Sequence, residues 1–255
     1  MLRKNIKVSL CLGGGAVLGA FHIGVLKALD ELSIEIESIS CTSIGSIIGA
    51  LYASGKDVKE IERLALNIEW KDLYTIAISK LGILTNEKIS SFLKKNIGDK
   101  NFDQLKIPLF VVATDIKNGN KVVLNKGSVS KSVMASTCVP GIFIPIRIEN
   151  NLLVDGGIVE NVPILTAKEQ GSDYIIAVDL NDKHSYKEPT NILEVLLNSF
   201  EFLSRSSVKE HEVEADLIIK PNLENFNCIS TNQIKSLIDK GYEESLKILK
   251  KEFKI

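Results

Sequence analysis

The hydrophobic pattern along the chain switches between two periods. From Ile6 to Leu12, Val8, Leu10 and Leu12 alternate with small or polar residues until glycines stop the run, which predicts a buried strand. From about Val17 to Leu32 the apolar positions Phe21, Val25, Ala28, Leu29 and Leu32 recur at helical spacing, with charge confined to Lys27, Asp30 and Glu31. Ile36 to Cys41 predicts a second short strand, and Ile44 to Ala53 a buried helix of small and apolar residues ending at Gly55. Strand, glycine turn, helix, strand, sharp turn, helix is the order of an α/β fold with a parallel sheet covered by helices. Further strands are expected at Ile107 to Thr114, Lys121 to Leu124, Leu152 to Val154, Tyr174 to Val178 and Leu217 to Ile219. Helices are expected at Val58 to Ile68, Glu87 to Lys95, Ser128 to Ala135, Val162 to Glu169, Ile192 to Val213 and Asn232 to Phe253. No repeat, low-complexity tract or Pro-rich linker divides the sequence, so one domain over residues 1–255 is expected, with a helical C-terminal part from about 190.

Composition narrows the function classes. The 255 residues carry 31 Lys+Arg against 32 Asp+Glu, a formal charge of −1, which argues against a polyanion-binding surface and against nucleic acid as partner. Cys11, Cys41, Cys138 and Cys228 are widely spaced, with no CxxC and no nearby histidine pair, so neither a metal site, a cofactor nor a disulfide framework is indicated. Arg3, Lys4 and Lys7 ahead of Val8 to Leu26 imitate a secretory signal, but Gly13, Gly14, Gly15, Gly19 and Gly24 interrupt the apolar run and its removal would delete the first strand. The expectation is a cytoplasmic protein. No run approaches the ~20 apolar residues of a membrane helix, which leaves peripheral contact, at the inner membrane surface, as the kind of membrane association open to it.

The chemistry begins at Gly13-Gly14-Gly15-Ala16-Val17-Leu18-Gly19, between a strand and a helix. Glycines there can aim several N–H groups at one point beside the positive end of a helix, which suits a dinucleotide, a mononucleotide or an oxyanion; a turn that merely permits close packing looks the same. The nucleotide readings fail on detail. In the G-x-G-x-x-G register from Gly13, Leu18 stands where the third glycine belongs, from Gly14 the second glycine is Ala16, and no Gly-Lys-Ser/Thr follows. The second element is Cys41-Thr42-Ser43-Ile44-Gly45-Ser46, again between a strand and a helix. It matches the nucleophile elbow G-x-S-x-G with Ser43 at the serine and Gly45 at the second glycine, while Cys41 replaces the first. A serine at such a turn also reads as a helix N-cap. Both turns lie at the carboxyl ends of neighbouring strands, the edge on which α/β proteins place their sites, and a nucleophile beside an oxyanion hole indicates acyl transfer.

The serine needs a base. His22 lies inside the first helix, His184 in a polar loop with Asp179, Asp182 and Lys183, and His211 in a Glu-rich stretch; packing for the first and solvent exposure for the others are the expected roles. Asp155 is the better candidate. In Leu152-Leu153-Val154-Asp155-Gly156-Gly157 an apolar strand ends on a carboxylate backed by two glycines, although a plain Asp-Gly turn has the same sequence. An aspartate near its usual pKa of ~3.9 is a poor base for a hydroxyl, so partial desolvation is expected there.

The order of glycine loop, elbow serine and Asp-Gly-Gly resembles the patatin-like phospholipase family, in its small bacterial single-domain form. Phe21-His22-Ile23-Gly24-Val25-Leu26, Ala113-Thr114-Asp115 and Ala135-Ser136-Thr137-Cys138-Val139-Pro140-Gly141 agree with it, and the similarity runs from about residue 6 to residue 182. The resemblance implies a three-layer α/β/α fold with a mainly parallel central sheet and a Ser–Asp dyad, without histidine, that cleaves lipid esters through an acyl-enzyme. Carried over by position, Ser43 is the nucleophile, Asp155 the base, and Gly13, Gly14 and Gly15 the oxyanion loop, with Cys41, Gly45, Gly156 and Gly157 supporting the two turns. Two departures stand out: the family often has Arg where this chain has Leu18, and glycine where it has Cys41. They motivate the competing expectation, a catalytically weak lipid-binding or regulatory protein that keeps the fold. The apolar stretch Leu73 to Leu84 is expected to be either a lid or interfacial patch, or a buried connector. Lys247, Lys250, Lys251 and Lys254 form a basic tail, expected to complement the dipole of the last helix, with weak attraction to anionic lipid as the alternative.

Overall fold

The computed structural model describes residues 8–181, 188–209 and 211–255. The expectations on Arg3, Lys4, Ile6, Lys7, Asp182, Lys183 and His184 lie outside these. Strand β1 (Val8–Leu12) runs into the glycine loop and a short 3-10 turn, Ala16–Gly19, before helix α1 (Ala20–Glu31). There follow β2 (Ser38–Thr42), α2 (Ile44–Ala53), α3 (Val58–Leu66), a hairpin of β3 (Thr75–Ser79) and β4 (Gly82–Thr85), and α4 (Glu87–Ile97). The middle of the chain holds β5 (Leu109–Asp115), β6 (Asn120–Leu124), α5 (Val129–Ser136), β7 (Ile146–Ile148), β8 (Asn151–Asp155), α6 (Gly157–Glu160) and α7 (Ile164–Glu169). It ends with β9 (Tyr174–Val178), α8 (Ile192–Lys209), β10 (Leu217–Ile219) and α9 (Ile234–Phe253).

Eight strands form one sheet in the order β10-β9-β1-β2-β5-β8-β7, with β6 also paired to β5. The pairs β10/β9, β9/β1, β1/β2 and β2/β5 are parallel, and those of β5 with β6, β5 with β8 and β7 with β8 are antiparallel. The sheet is therefore mixed and mostly parallel. Side chains of successive strand residues point to opposite faces, and the two buried layers follow that rule. Val8, Leu10, Leu12, Ile176 and Val178 join the larger core beneath α1, α2, α3 and α9. Cys11, Ile175 and Ala177 join the smaller core with Val162, Ile164, Ala167 and Val208 on the other face. Covered on both sides, the central strands read as near-continuous apolar runs, and the fold is the three-layer α/β/α arrangement.

Helix α9 packs along α1 at unusually close range. A methyl group on Gly24 would overlap the carbonyl oxygen of Ile238 and the backbone nitrogen of Tyr242, and one on Gly241 would overlap the carbonyl oxygen of Phe21. Neither obstacle is a flexible side chain, so the helices themselves would have to part. Gly24→Ala is accordingly expected to lower stability by about 2 kcal/mol or more despite the better helix propensity of alanine, as read from the denaturant midpoint.

The structure differs from the sequence expectations at three places. The first turn of the predicted helix from Val17 is 3-10, because Gly15 and Ala16 take positive φ and Val17 N–H is drawn to the carbonyl of Cys228. The stretch Leu73 to Leu84 is a hairpin that leaves Ile76 74% and Leu81 56% exposed, which removes the buried-connector reading. The helix expected over Ile192 to Val213 stops as an α-helix at Lys209, and Glu212–Glu214 is a 3-10 turn.

Candidate active site

Sheet register decides which of the predicted residues meet. Thr42, the last residue of β2, pairs with Val112, and Asp155, the last residue of β8, pairs with Ala113 on the opposite side of β5. Ser43 and Asp155 thus sit at one level across a single intervening strand. Because β8 runs antiparallel to β5, its carboxyl end reaches this level from the far direction.

Ser43 takes φ 52° and ψ −126°, a strained conformation for a residue with a Cβ. It precedes α2, yet its side chain makes no capping hydrogen bond, so the capping role does not explain a serine here. Its N–H donates to Ser136 Oγ at 2.9 Å, and the Ser136 hydroxyl donates to the carbonyl of Val112 at 2.6 Å. Ser46 Oγ donates to the carbonyl of Ser43 at 2.5 Å. The turn is held by its backbone, which leaves the Ser43 hydroxyl for other partners. Gly45 is required by the same turn, since a Cβ there would overlap the carbonyl of Leu12. Cys41, by contrast, is fully buried, donates its thiol to the carbonyl of Phe110 and packs near Gly49, so the strand tolerates a side chain at that position of the elbow.

Asp155 is fully buried. Its Oδ1 accepts the N–H of Gly157 at 2.9 Å, which is the plain Asp-Gly turn, while its carbonyl accepts the hydroxyl of Thr114 at 2.9 Å. Oδ2 makes no hydrogen bond of normal geometry among the described residues. One oxygen is thus committed to the fold and the other is not. Burial pushes the carboxyl up to about 7, and the nearby Ser43 hydroxyl and the Gly157 N–H pull it part of the way back. Glu201 of α8 is likewise raised to about 7, first by burial and then by the charge of Asp155, with Arg205 opposing both.

The three glycines of the loop divide in the same way. Gly13 N–H donates to the carbonyl of Val178 at 3.3 Å and Gly14 N–H to that of Asn161 at 3.2 Å. Gly15 N–H has no acceptor among the described residues. Two of the three N–H groups thus tie the loop to β9 and to the segment after α6. His22 is fully buried, its Nε2 lies 2.8 Å from the carbonyl of Gly13, and desolvation lowers it to about 4. It is a neutral packing residue that anchors the glycine loop. His211 begins a surface turn after α8.

Residues that local patterns did not single out complete the arrangement. Asn161 lies under both glycine turns, its Oδ1 close to Gly14 and Gly157. Its signal was an Asn-Val-Pro string shortly after Asp155, whereas Glu201, more than forty residues away on α8, had none. Asn181 follows β9, packs beside Gly15, donates from Nδ2 to Glu201 at 3.0 Å and accepts Arg205 Nε on its carbonyl at 2.8 Å. Leu18, in place of an expected cation, is 1% exposed and belongs to the core. No group of three residues suited to holding a metal occurs among the described residues.

Comparison with known proteins follows this geometry. A family model described as patatin-like phospholipase matches residues 10–168. An uncharacterized NTE family protein of Mycobacterium tuberculosis is 34% identical over 178 residues, 69% of this chain and 49% of that protein. Patatin-like phospholipase domain-containing protein 6 of Homo sapiens is 34% identical over 186 residues, 69% of this chain and 13% of that protein. Lysophospholipase NTE1 of Debaryomyces hansenii is 31% identical over 183 residues, 69% of this chain and 12% of that protein. The chain thus spans at most about half the length of these curated relatives. In structure, VipD from Legionella pneumophila aligns over 98% of this chain and 67% of its own, with a TM-score of 0.57 at 14% identity. The type III effector ExoU aligns over 96% of this chain and 53% of its own, with a TM-score of 0.55 at 13% identity.

Proposed function

The chain belongs to the patatin-like phospholipase family, and from that premise we propose that it is a serine-dependent lipid acyl hydrolase with a Ser43–Asp155 dyad. The observation that carries the reading is the free half of each partner: a serine held by its backbone in a strained turn, beside a buried carboxylate whose Oδ2 is unengaged.

In this reading Asp155 Oδ2 takes the proton of the Ser43 hydroxyl as Oγ attacks the ester carbonyl. The carbonyl oxygen becomes an oxyanion, met by the N–H of Gly15 and the positive end of the helical turn behind it. The bond to the leaving alkoxide breaks, and that oxygen takes the proton from Asp155, leaving the acyl group on Ser43. Water then attacks the acyl-enzyme, giving its proton to Asp155 and releasing the carboxylic acid as the proton returns to Ser43. Gly13, Gly14, His22 and Asn161 position the loop, and Ser136 positions the elbow. Asp155 suits this role because burial brings its basicity closer to neutral pH, where a general base works best.

The competing reading, a lipid-binding protein without turnover, rested on Leu18 and Cys41. Both are buried in the core among apolar neighbours. A fluorophosphonate probe and a panel of acyl esters and lysophospholipids, with Ser43→Ala as the blank, separate the two. Labelling at Ser43 and ester turnover are expected. Absence of both, with lipid binding intact, would establish the competing reading.

Among the described residues no helix is long and apolar enough to cross a membrane. Contact with lipid is assigned instead to peripheral approach, supported by Ile76, Leu81 and Ile83 exposed along the β3–β4 hairpin.

A further inference from the structure

The nucleophile, the base and the glycine loop come from separate segments of the chain, and two consecutive residues join them. The carbonyl of Glu160 accepts the hydroxyl of Thr42, the residue before Ser43, at 2.8 Å. The next carbonyl, that of Asn161, accepts the N–H of Gly14 at 3.2 Å. Glu160 also ends α6, the single helical turn that begins two residues after Asp155, and its N–H closes that turn on the carbonyl of Gly156 at 2.9 Å. The Glu160–Asn161 pair thus touches the elbow and the glycine loop directly and reaches the base through one closed turn. Sheet register brings Ser43 and Asp155 to one level on opposite sides of β5, and the Thr42–Glu160 hydrogen bond bridges the two sides without passing through β5.

The pair is itself held by the Glu160 side chain, which is buried. Its Oε1 accepts the N–H of Thr166 in α7 at 3.0 Å, while its Oε2 accepts the Thr166 hydroxyl at 2.6 Å and lies 3.1 Å from Lys121 Nζ of β6. A carboxylate placed this deeply is costly unless it is paired and hydrogen-bonded, and here it is both. Buried polar networks that are satisfied in this way rigidify the segments they join. We propose that Thr42 and Glu160 are positioning residues, and that the Glu160–Asn161 junction, locked by the Glu160 carboxylate, sets the spacing of nucleophile, base and glycine loop. Neither residue reacts. Loosening the junction misaligns the reacting groups, which costs rate rather than affinity for substrate. The proposal rests on the acyl-hydrolase reading for what is being positioned, and its test keeps the two apart.

Thr42→Val keeps the shape of the side chain and removes its hydroxyl, whereas Thr42→Ser keeps the hydroxyl. With a p-nitrophenyl ester as substrate, Thr42→Val should lower kcat by about tenfold or more with KM changed by less than about twofold, and Thr42→Ser should restore kcat to within about threefold of the wild type. Glu160→Gln, which removes the charge that Lys121 meets, should lower kcat in the same way. Amide hydrogen exchange supplies a readout free of catalysis. In Thr42→Val and Glu160→Gln the Gly14 N–H should exchange about tenfold faster or more, while the N–H of Ile176, in a strand paired on both sides, stays within about twofold. Where Glu160→Gln does not fold, the two Thr42 variants decide. Exchange raised alike at Gly14 and Ile176 marks general destabilisation and overturns the proposal. So does Thr42→Val with unchanged kcat and unchanged Gly14 exchange, beside Ser43-dependent turnover in the wild type, and the hydrolase reading then stands. No ester turnover in the wild type, with faster exchange confined to Gly14 in the variants, refutes the hydrolase reading and keeps the junction.

Discussion

Ser43→Ala is expected to lower ester turnover by ~10⁴-fold or more, because no other hydroxyl can take over the bond to the acyl group. The same substitution should change stability by less than about 0.5 kcal/mol, since the side chain caps nothing and the turn is held by Ser136, Ser46 and the backbone. Ser43→Gly should be as inactive and yet more stable than the wild type, by about 1 kcal/mol, because glycine relieves a φ of 52°. Steady-state rates and denaturant midpoints of the three proteins check this together. A Ser43→Ala protein that keeps a tenth of the activity would move the nucleophile elsewhere.

The second large effect belongs to Asp155, and it has two pH signatures. With the carboxyl raised to about 7, the base form increases through neutral pH, so wild-type kcat/KM should climb with pH and pass half its plateau near 7. His22, lowered to about 4, contributes no competing limb in that range. Asp155→Asn should lose ~10³-fold or more and show a flat residual profile. For stability the sign follows from the direction of the shift. The folded state holds this proton more tightly than the unfolded chain, so the contribution is complete below about pH 4 and is lost as pH rises through about 7. Wild-type melting temperature should therefore fall between about pH 4 and about pH 7. Asp155→Asn should flatten that fall, leaving the smaller share that Glu201 carries, which itself shrinks without the Asp155 charge. A variant that melts with the same pH dependence as the wild type would mean that Asp155 is not the buried ionising group. One that retains most activity would remove it as the base.

What the sequence made legible followed from local physics. The period-2 runs of β1 and β9 and the two glycine-bearing turns mark the strands and the edge where the site lies, because burial on both faces and close backbone approach leave few residue types available. The family order of motifs then brought Ser43 and Asp155 into one hypothesis, although the reason they meet, a shared level across β5, is a matter of sheet register that no local pattern encodes. The tethers of the glycine loop were not legible in the same way. Composition gives the freedom of Gly13 and Gly14 but not their acceptors, Val178 and Asn161, which come from segments far along the chain. Glu201 was invisible for the same reason. A glutamate on an amphipathic helix reads as solvated surface until the helix is laid over a buried carboxylate.

The crossing of α1 and α9 bears on what can be cut from this protein. The family model matches this chain as far as residue 168, while α9 begins at Ile234. Yet the two helices meet backbone to backbone at Gly24 and Gly241, and α1 carries His22, which grips the carbonyl of Gly13. The border of that match is therefore not a border of cooperativity. A fragment trimmed to the matched region would keep every proposed catalytic residue and lose the buttress behind the loop that aims them, so α1 and α9 should open as one unit when the native state fluctuates.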